Sequence, residues 1–244
     1  MKPWMIVTGA SGALADVFIP LAAKHEWQIL AVSRKEDFTL PETADITRIQ
    51  ADVSSVAGVD MVTQFFRERN ETPEYLVHLA GSFLLAGLAQ TSETQYRQCL
   101  AANLDSAFFM LKAFVALLRK NHTEGNAVFV SSVVADIGVA FHEAVAAAKG
   151  GLESLVMAAA ATHARDGICI NAVRSGLMDS SAASHILRNS QARDMAQRQY
   201  PLGELIDPVQ VAEAIIFLLQ QRQITGQILS VDGGFTAIRP LVTS

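Results

Sequence analysis

The sequence predicts an α/β fold, a doubly wound parallel sheet of about seven strands with helices on both faces. Three observations predict it. Short apolar runs alternate with longer helical patterns along the whole chain. The apolar runs are continuous rather than alternating, as in strands covered on both faces. A glycine-rich turn joins the first strand to the first helix, the usual opening of a nucleotide-binding βαβ unit.

The chain has 244 residues, which suits one domain spanning 1–244 better than two small ones. Half of the residues are apolar and 18% are charged, ample material for a large core. The formal charge is −5 with no basic tract, which argues against nucleic acid or an anionic membrane as the main partner. Cys99 and Cys169 sit among apolar neighbours and read as small buried hydrophobes of a reducing compartment. No signal-peptide pattern precedes the first strand. The most apolar helix, around 144–164, carries Lys149, Glu153 and His163, which argues against a membrane span. A soluble cytoplasmic protein without a metal site is expected.

Taken in order, strands are expected at 4–7, 27–33, 46–51, 74–80, 126–131, 168–173 and 226–231. Helices are expected at 12–25, 57–70, 92–120, 142–165 and 208–221. The third helix should be broken at Asn103, whose side chain competes for backbone groups inside an otherwise apolar helix. The last begins at Asp207-Pro208, with proline at its first position. The one long irregular stretch, 175–207, is rich in Ser, Gln and Arg and reads as a substrate-binding lobe or lid.

The first turn reads Thr8-Gly9-Ala10-Ser11-Gly12-Ala13-Leu14-Ala15. Glycines there let the backbone approach a pyrophosphate, and the helix N-terminus supplies free N–H groups. Thr8, Gly9, Ser11, Gly12 and Leu14 are therefore candidate cofactor contacts in a Rossmann-like domain; an ordinary βα turn is the alternative. The second strand ends Ser33-Arg34-Lys35 where an acidic residue would hold a ribose 2′-hydroxyl. A guanidinium there suits a 2′-phosphate, so NADP(H) is expected over NAD(H), against a solvated surface pair as the alternative. His78, within the apolar strand Tyr75-Leu76-Val77-His78, reads as a satisfied core histidine rather than a catalyst.

The segment Ser131 to Lys149 carries the sharpest signal. Ser132 closes a buried strand, Gly138 lies in the loop, and Lys149-Gly150-Gly151-Leu152 follows on an Ala-rich helix. With Asn171-Ala172-Val173-Arg174-Ser175-Gly176, Tyr200-Pro201-Leu202-Gly203 and Thr225-Gly226-Gln227 through Asp232-Gly233-Gly234, this layout resembles the short-chain dehydrogenase/reductase family over essentially the whole chain. The resemblance implies that Asp52 and Val53 contact the adenine and that Ala80 and Gly81 approach the cofactor, although on local grounds Asp52 equally caps a turn. It implies that Ser175, Gly176 and Met178 lie along the nicotinamide. It also implies a Ser132, Lys149 and Asn103 site, with Lys149 on the nicotinamide ribose, and a homo-oligomer, tetramer or dimer.

One position departs from the family's pattern. Relatives place Tyr four residues before the Lys, and this chain has Val145. None of its three tyrosines, Tyr75, Tyr96 and Tyr200, is in register to replace it. Valine neither titrates nor donates. His142 lies three residues before Val145 on the same helix face and is a candidate relay, as is a water held by Ser132 and Lys149. The expected function is thus an NADP(H)-dependent oxidoreductase with an altered proton path, acting on a small carbonyl, alcohol or enone. An NADP(H)-binding protein without turnover is the alternative.

Overall fold

The computed structural model describes residues 2–43 and 45–239; the ends of the expected 1–244 domain lie outside the described residues. Seven parallel strands form one sheet: β1 (Trp4–Thr8), β2 (Gln28–Ser33), β3 (Ile46–Gln50), β4 (Pro73–His78), β5 (Gly125–Ser132), β6 (Ile168–Ser175) and β7 (Ile228–Val231). Their order is β3-β2-β1-β4-β5-β6-β7, so the direction of winding reverses between β1 and β4. In such sheets the ligand crevice opens beyond the carboxyl ends of the strands at that switch point.

The helices are α1 (Ala15–Ala22), α2 (Val56–Arg69), α3 (Glu93–Leu100), α4 (Ser106–Asn121), α5 (Glu143–His163), α6 (Ser190–Gln197) and α7 (Pro208–Gln220). The continuous apolar strands feed both faces by simple alternation. Ile6, Leu30, Leu76 and Phe129 pack with α2, α4 and α5, whereas Met5, Val7, Ile29 and Val77 pack with α1 and α7. Local chemistry sets the helix starts. Ser55 Oγ accepts from Gly58 N at 3.1 Å, Ser92 and Gln95 form a capping box, and Asp207 accepts from Val209 N ahead of Pro208. The segments Glu93–Asn121 and Glu143–Asp166 are long and apolar enough to cross a membrane by length and composition. Both pack against the sheet, and α5 buries Lys149 and Glu153.

Two expectations need correction. The first helix begins at Ala15 rather than Gly12, because Gly9 to Leu14 form the turn that faces the crevice. The 175–207 stretch is not wholly irregular: Asn189 caps the short helix α6 by accepting from Ala192 N at 2.8 Å.

The expected break at Asn103 is a single π-turn, Ala101–Asp105. Two side chains explain it. Asn103 Nδ2 donates to the carbonyl of Cys99 at 2.9 Å, and Ser106 Oγ donates to that of Ala102 at 2.8 Å. The Ser106 N–H then reaches back five residues to Ala101. Side chains have taken carbonyls that an α-helix would use, and the ladder slips by one residue.

His78 ties this turn to the sheet. Its Nδ1 lies 2.9 Å from Thr8 Oγ1 and its Nε2 lies 3.1 Å from Ser106 Oγ. Since the Ser106 proton goes to Ala102, the hydroxyl accepts from Nε2–H, and Thr8 donates to Nδ1. Complete burial, with a lesser push from Lys149, lowers the pKa of His78 to about 3. The unfolded chain protonates His78 below about pH 6.5, so between there and about pH 3 the unfolded state binds the extra proton and stability falls as pH falls. The cost is up to ~1.4 kcal/mol per pH unit. Urea unfolding of the wild type between pH 7 and 5 should therefore show a falling midpoint, and His78→Gln should show a shallower decline. Equal slopes for the two proteins would contradict this account.

Candidate active site

The turn after β1 is shaped by its glycines. Gly9 has φ +70°, and a Cβ there would lie 2.6 Å from Ala80 N, so the turn can sit against the end of β4 only without a side chain. Gly12 N donates to Gly9 O at 2.9 Å and leads into α1. At the end of β2, Ser33 Oγ donates to Ser11 Oγ at 2.8 Å and accepts from Lys35 N at 3.0 Å. Arg34 is exposed and makes no ion pair among the described residues. Asp52 accepts from both N and Oγ of Ser54, so it does cap a turn. Burial disfavours its charge, but the Ser54 bonds and the nearby Arg34 outweigh this and hold its carboxyl below the usual range. A cleft of about 160 Å³ is lined by Gly9, Ser11, Gly12, Ser33, Arg34, Asp52, Val53, Ala80 and Gly81. Its small walls and the exposed Arg34 guanidinium suit the adenosine end of a dinucleotide.

Gly9, Gly12 and Gly81 also line a second, larger cavity of about 490 Å³. Here the structure brings together Leu14, Asn103, Ser132, His142, Val145, Lys149, Ser175, Gly176 and Met178. Of the expected contacts, only Thr8 lines neither cavity; it is fully buried and its hydroxyl is committed to His78.

Each group has a structural reason for its place. Ser132 and Ser175 are register partners at the ends of β5 and β6. Lys149 reaches inward from α5 and donates to the Val130 carbonyl at 2.7 Å. Burial lowers its pKa to about 8, with Cys99 and Glu153 pushing the other way. Asn103 is held by the π-turn, and its Oδ1 accepts from Ser82 N at 3.2 Å. A Cβ on Gly81 would come within 2.9 Å of Asn103 Oδ1 and 3.6 Å of Lys149 Nζ, which places all three around one point. His142 is the N-cap residue of α5; its Nδ1 sits 2.8 Å from the Ala140 carbonyl, which assigns the proton to Nδ1 and leaves Nε2 free.

Val145 is buried among Cys99, Val133, Val134 and Ala144, one helical turn before Lys149. The place where the family resemblance implies a phenol is apolar here. A network beneath it fixes the surrounding backbone. Glu153 is held by Ser131 Oγ at 2.7 Å and by Arg174 at 3.0 and 2.7 Å, and Arg174 also pairs with Asp136 at 2.9 Å. This joins β5, the loop after it, α5 and β6. Sequence reading missed the network, whose members lie more than 20 residues apart.

Tyr200 was also missed as a member of the cavity wall. It packs beneath Gly176, where a Cβ would strike its ring at 2.8 Å, and its hydroxyl accepts from Leu177 N at 2.7 Å. Burial, and after it the charge of Asp232, raise its pKa against the opposing Leu177 bond. Nothing local in the sequence signals that contact. Phe83 lies at the cavity as well, edge-on to His142 with ring centroids 5.6 Å apart.

Comparison with known proteins agrees with this geometry. Residues 20–236 match a family model described as Enoyl-(acyl carrier protein) reductase. The chain is 31% identical to 2-(S)-hydroxypropyl-CoM dehydrogenase 3 of Xanthobacter autotrophicus, with 98% of each chain covered. It is 27% identical to a solved oxidoreductase of the short chain dehydrogenase/reductase family from Burkholderia thailandensis, with a TM-score of 0.87 over 97% of this chain and 94% of that one. ElxO with NADP bound shares the fold at a TM-score of 0.89 and 23% identity, over 98% of this chain and all of that one. With its switch-point crevice, glycine turn and Ser132/Lys149 cavity, this chain belongs to the short-chain dehydrogenase/reductase family of oxidoreductases.

Proposed function

We propose that the protein is an NADP(H)-dependent oxidoreductase acting on a small carbonyl, alcohol or enone, with a proton path that does not use tyrosine. The convergence of Ser132, Lys149 and Asn103 on one cavity beside the glycine turn carries this reading. Bound NADPH would supply the hydride. Gly9, Ser11 and Gly12 would hold its pyrophosphate, Ser33 and Arg34 its 2′-phosphate, and Asp52 and Val53 its adenine. Ala80, Gly81, Ser175, Gly176 and Met178 would border the nicotinamide half, with Lys149 on its ribose. Ser132 donates to the carbonyl oxygen. Asn103 holds the helix geometry behind Lys149. The proton comes from water that reaches Ser132 and Lys149, with Nε2 of His142 as a relay to that water rather than a donor to the substrate oxygen. The NADP bound to ElxO and the dehydrogenase name of the Xanthobacter relative support the cofactor and reaction type.

The 175–207 lobe, which contributes Leu177, Met178, Ala183 and Ile186 to the cavity wall, takes an at least partly apolar substrate in this reading. The protein is taken to work as a soluble cytoplasmic homo-oligomer, a tetramer or dimer, on small molecules, without nucleic acid, membrane or metal.

Titration of nucleotide fluorescence tests the cofactor preference. NADPH should bind more tightly than NADH, and Arg34→Ala should weaken NADPH about tenfold or more, the worth of one charge-assisted bond, while leaving NADH nearly unchanged. Equal affinities for the two nucleotides would refute the preference. NADPH oxidation over a carbonyl and enone panel tests turnover, and a silent panel with bound NADPH would point to a binding protein instead.

Lys149 supplies a second test. Its ammonium is retained below about pH 8, so activity should fall as pH rises through that value. Its depressed pKa also means that the folded state carries a buried cation at a cost below the unfolded pKa of 10.5, on the order of 3 kcal/mol from the shift itself. The unfolded chain binds more protons between pH 8 and 10.5, so stability rises with pH there. Lys149→Met should abolish turnover and raise the melting temperature at neutral pH, less whatever is lost with the Val130 bond. A lower melting temperature would overturn the second half of that expectation.

A further inference from the structure

We propose that Val145 makes this site a selector for carbonyl acceptors whose oxygen, after hydride has added to the carbon, is a weak base. Carbonyls conjugated to electron-withdrawing groups are that class, and simple ketones are excluded. The inference rests on the oxidoreductase reading and concerns which acceptors that site can serve.

The argument starts from the charge that forms. When hydride reaches a carbonyl carbon, the C4–H bond of the dihydronicotinamide breaks, a C–H bond forms, and the C=O π pair comes to rest on oxygen. The nucleotide is oxidised and the carbonyl reduced. A positioned acid would neutralise the oxygen within that step and contribute ~10²–10⁴ in rate. Here the cavity wall one helical turn before Lys149 is Val145, clustered with Val133 and Val134. Tyr200 cannot substitute, since its buried hydroxyl is pinned beneath Gly176 by Leu177 N. His142 stands at the helix cap, nearly a full turn from Val145, with Nδ1 turned to Ala140.

What remains is electrostatic. Among the described residues that line the cavity there is no carboxylate, and Lys149 is the one lysine or arginine. Its ammonium and the Ser132 hydroxyl stabilise an oxyanion by charge and hydrogen bonding in a cavity walled largely by apolar side chains. That help has the same strength for every acceptor. Hydride transfer therefore becomes sensitive to the intrinsic basicity of the oxyanion, which draws its proton afterwards from water and leaves hydroxide to the buffer. A strongly basic alkoxide returns the hydride before that occurs. An inductively stabilised oxyanion persists long enough to be protonated.

Ring-substituted acetophenones, from 4-methoxy to 4-nitro, provide the kinetic test with NADPH. Wild type should reduce the 4-nitro compound and leave the 4-methoxy compound unchanged. V145Y should gain about 10²-fold or more on the 4-methoxy compound and less on the 4-nitro compound, flattening the dependence on substituent. Equal substituent dependence in wild type and V145Y overturns the proposal while leaving the oxidoreductase reading standing. A second measurement needs no nucleotide. 4-Nitrophenol titrated in the presence of apo protein should ionise at lower pH when bound to wild type and at its free-solution pH with Lys149→Met. An unshifted ionisation with wild type overturns the oxyanion site itself. If no acceptor turns over although NADPH binds, the oxidoreductase reading fails and the nitrophenol shift alone judges the site. If V145Y does not fold, the wild-type substituent series and the nitrophenol shift still decide.

Discussion

The buried chain of hydrogen bonds from Thr8 through His78 to Ser106 is the constraint on which the site depends. It joins the last residue of β1, the last residue of β4 and the first residue of α4. Those three points border the place where the sheet reverses its winding. Beside it, the glycine turn is fitted against Ala80, and the π-turn presents Asn103 toward Gly81 and Lys149. A fully buried imidazole held neutral serves well here, because one ring nitrogen accepts while the other donates. An apolar residue at that position would leave Thr8 and Ser106 each short of a partner.

Against that fixed floor stands a cavity whose polar groups are sparse and costly. Among the described residues Lys149 is buried with only the Val130 carbonyl as a direct partner, and Val145 offers it no phenol to act upon. The buried cation costs folding energy, with no compensating ion pair on its own ammonium among the described residues. Glu153, one turn further along α5, is instead neutralised by Arg174 and Ser131. The chain thus separates two tasks along one helix. Glu153 anchors the helix to β5 and β6, and Lys149 lines the cavity, bonded to the Val130 carbonyl.

Much of this was legible in the sequence because it depends on period and local chemistry. Continuous apolar runs, a glycine turn and Asp207-Pro208 specify their own strands, turn and helix start. The break at Asn103 was legible too, since asparagine competes for backbone groups. That the break is a π-turn was not, because it depends on which carbonyls Asn103 and Ser106 capture. His78 read correctly as a satisfied core histidine, but its partners are 70 and 28 residues away in sequence. Thr8 was expected at the cofactor and is committed to His78 instead. Helix α6 hid in a polar stretch of eight residues, too short for its period to stand out. Tyr200 escaped because its place is set by the missing side chain of Gly176, a relation with no local trace.

The ends of the lobe between β6 and α7 are stitched to each other. Ile206 N donates to Leu177 O at 3.1 Å, Asp179 N donates to Ile206 O at 2.9 Å, and Tyr200 clamps Leu177 from below. The segment between them, including α6, is therefore a closed loop hung from a rigid clasp. Loop length costs little once such ends are fixed, each doubling adding ~0.6 kcal/mol. Changes at exposed positions of this loop, away from Tyr200 and from Ala183 and Ile186 in the cavity wall, leave β6 and α7 in place. The share of the cavity wall that this loop supplies can therefore vary while the glycine turn and the strand ends opposite it stay as they are.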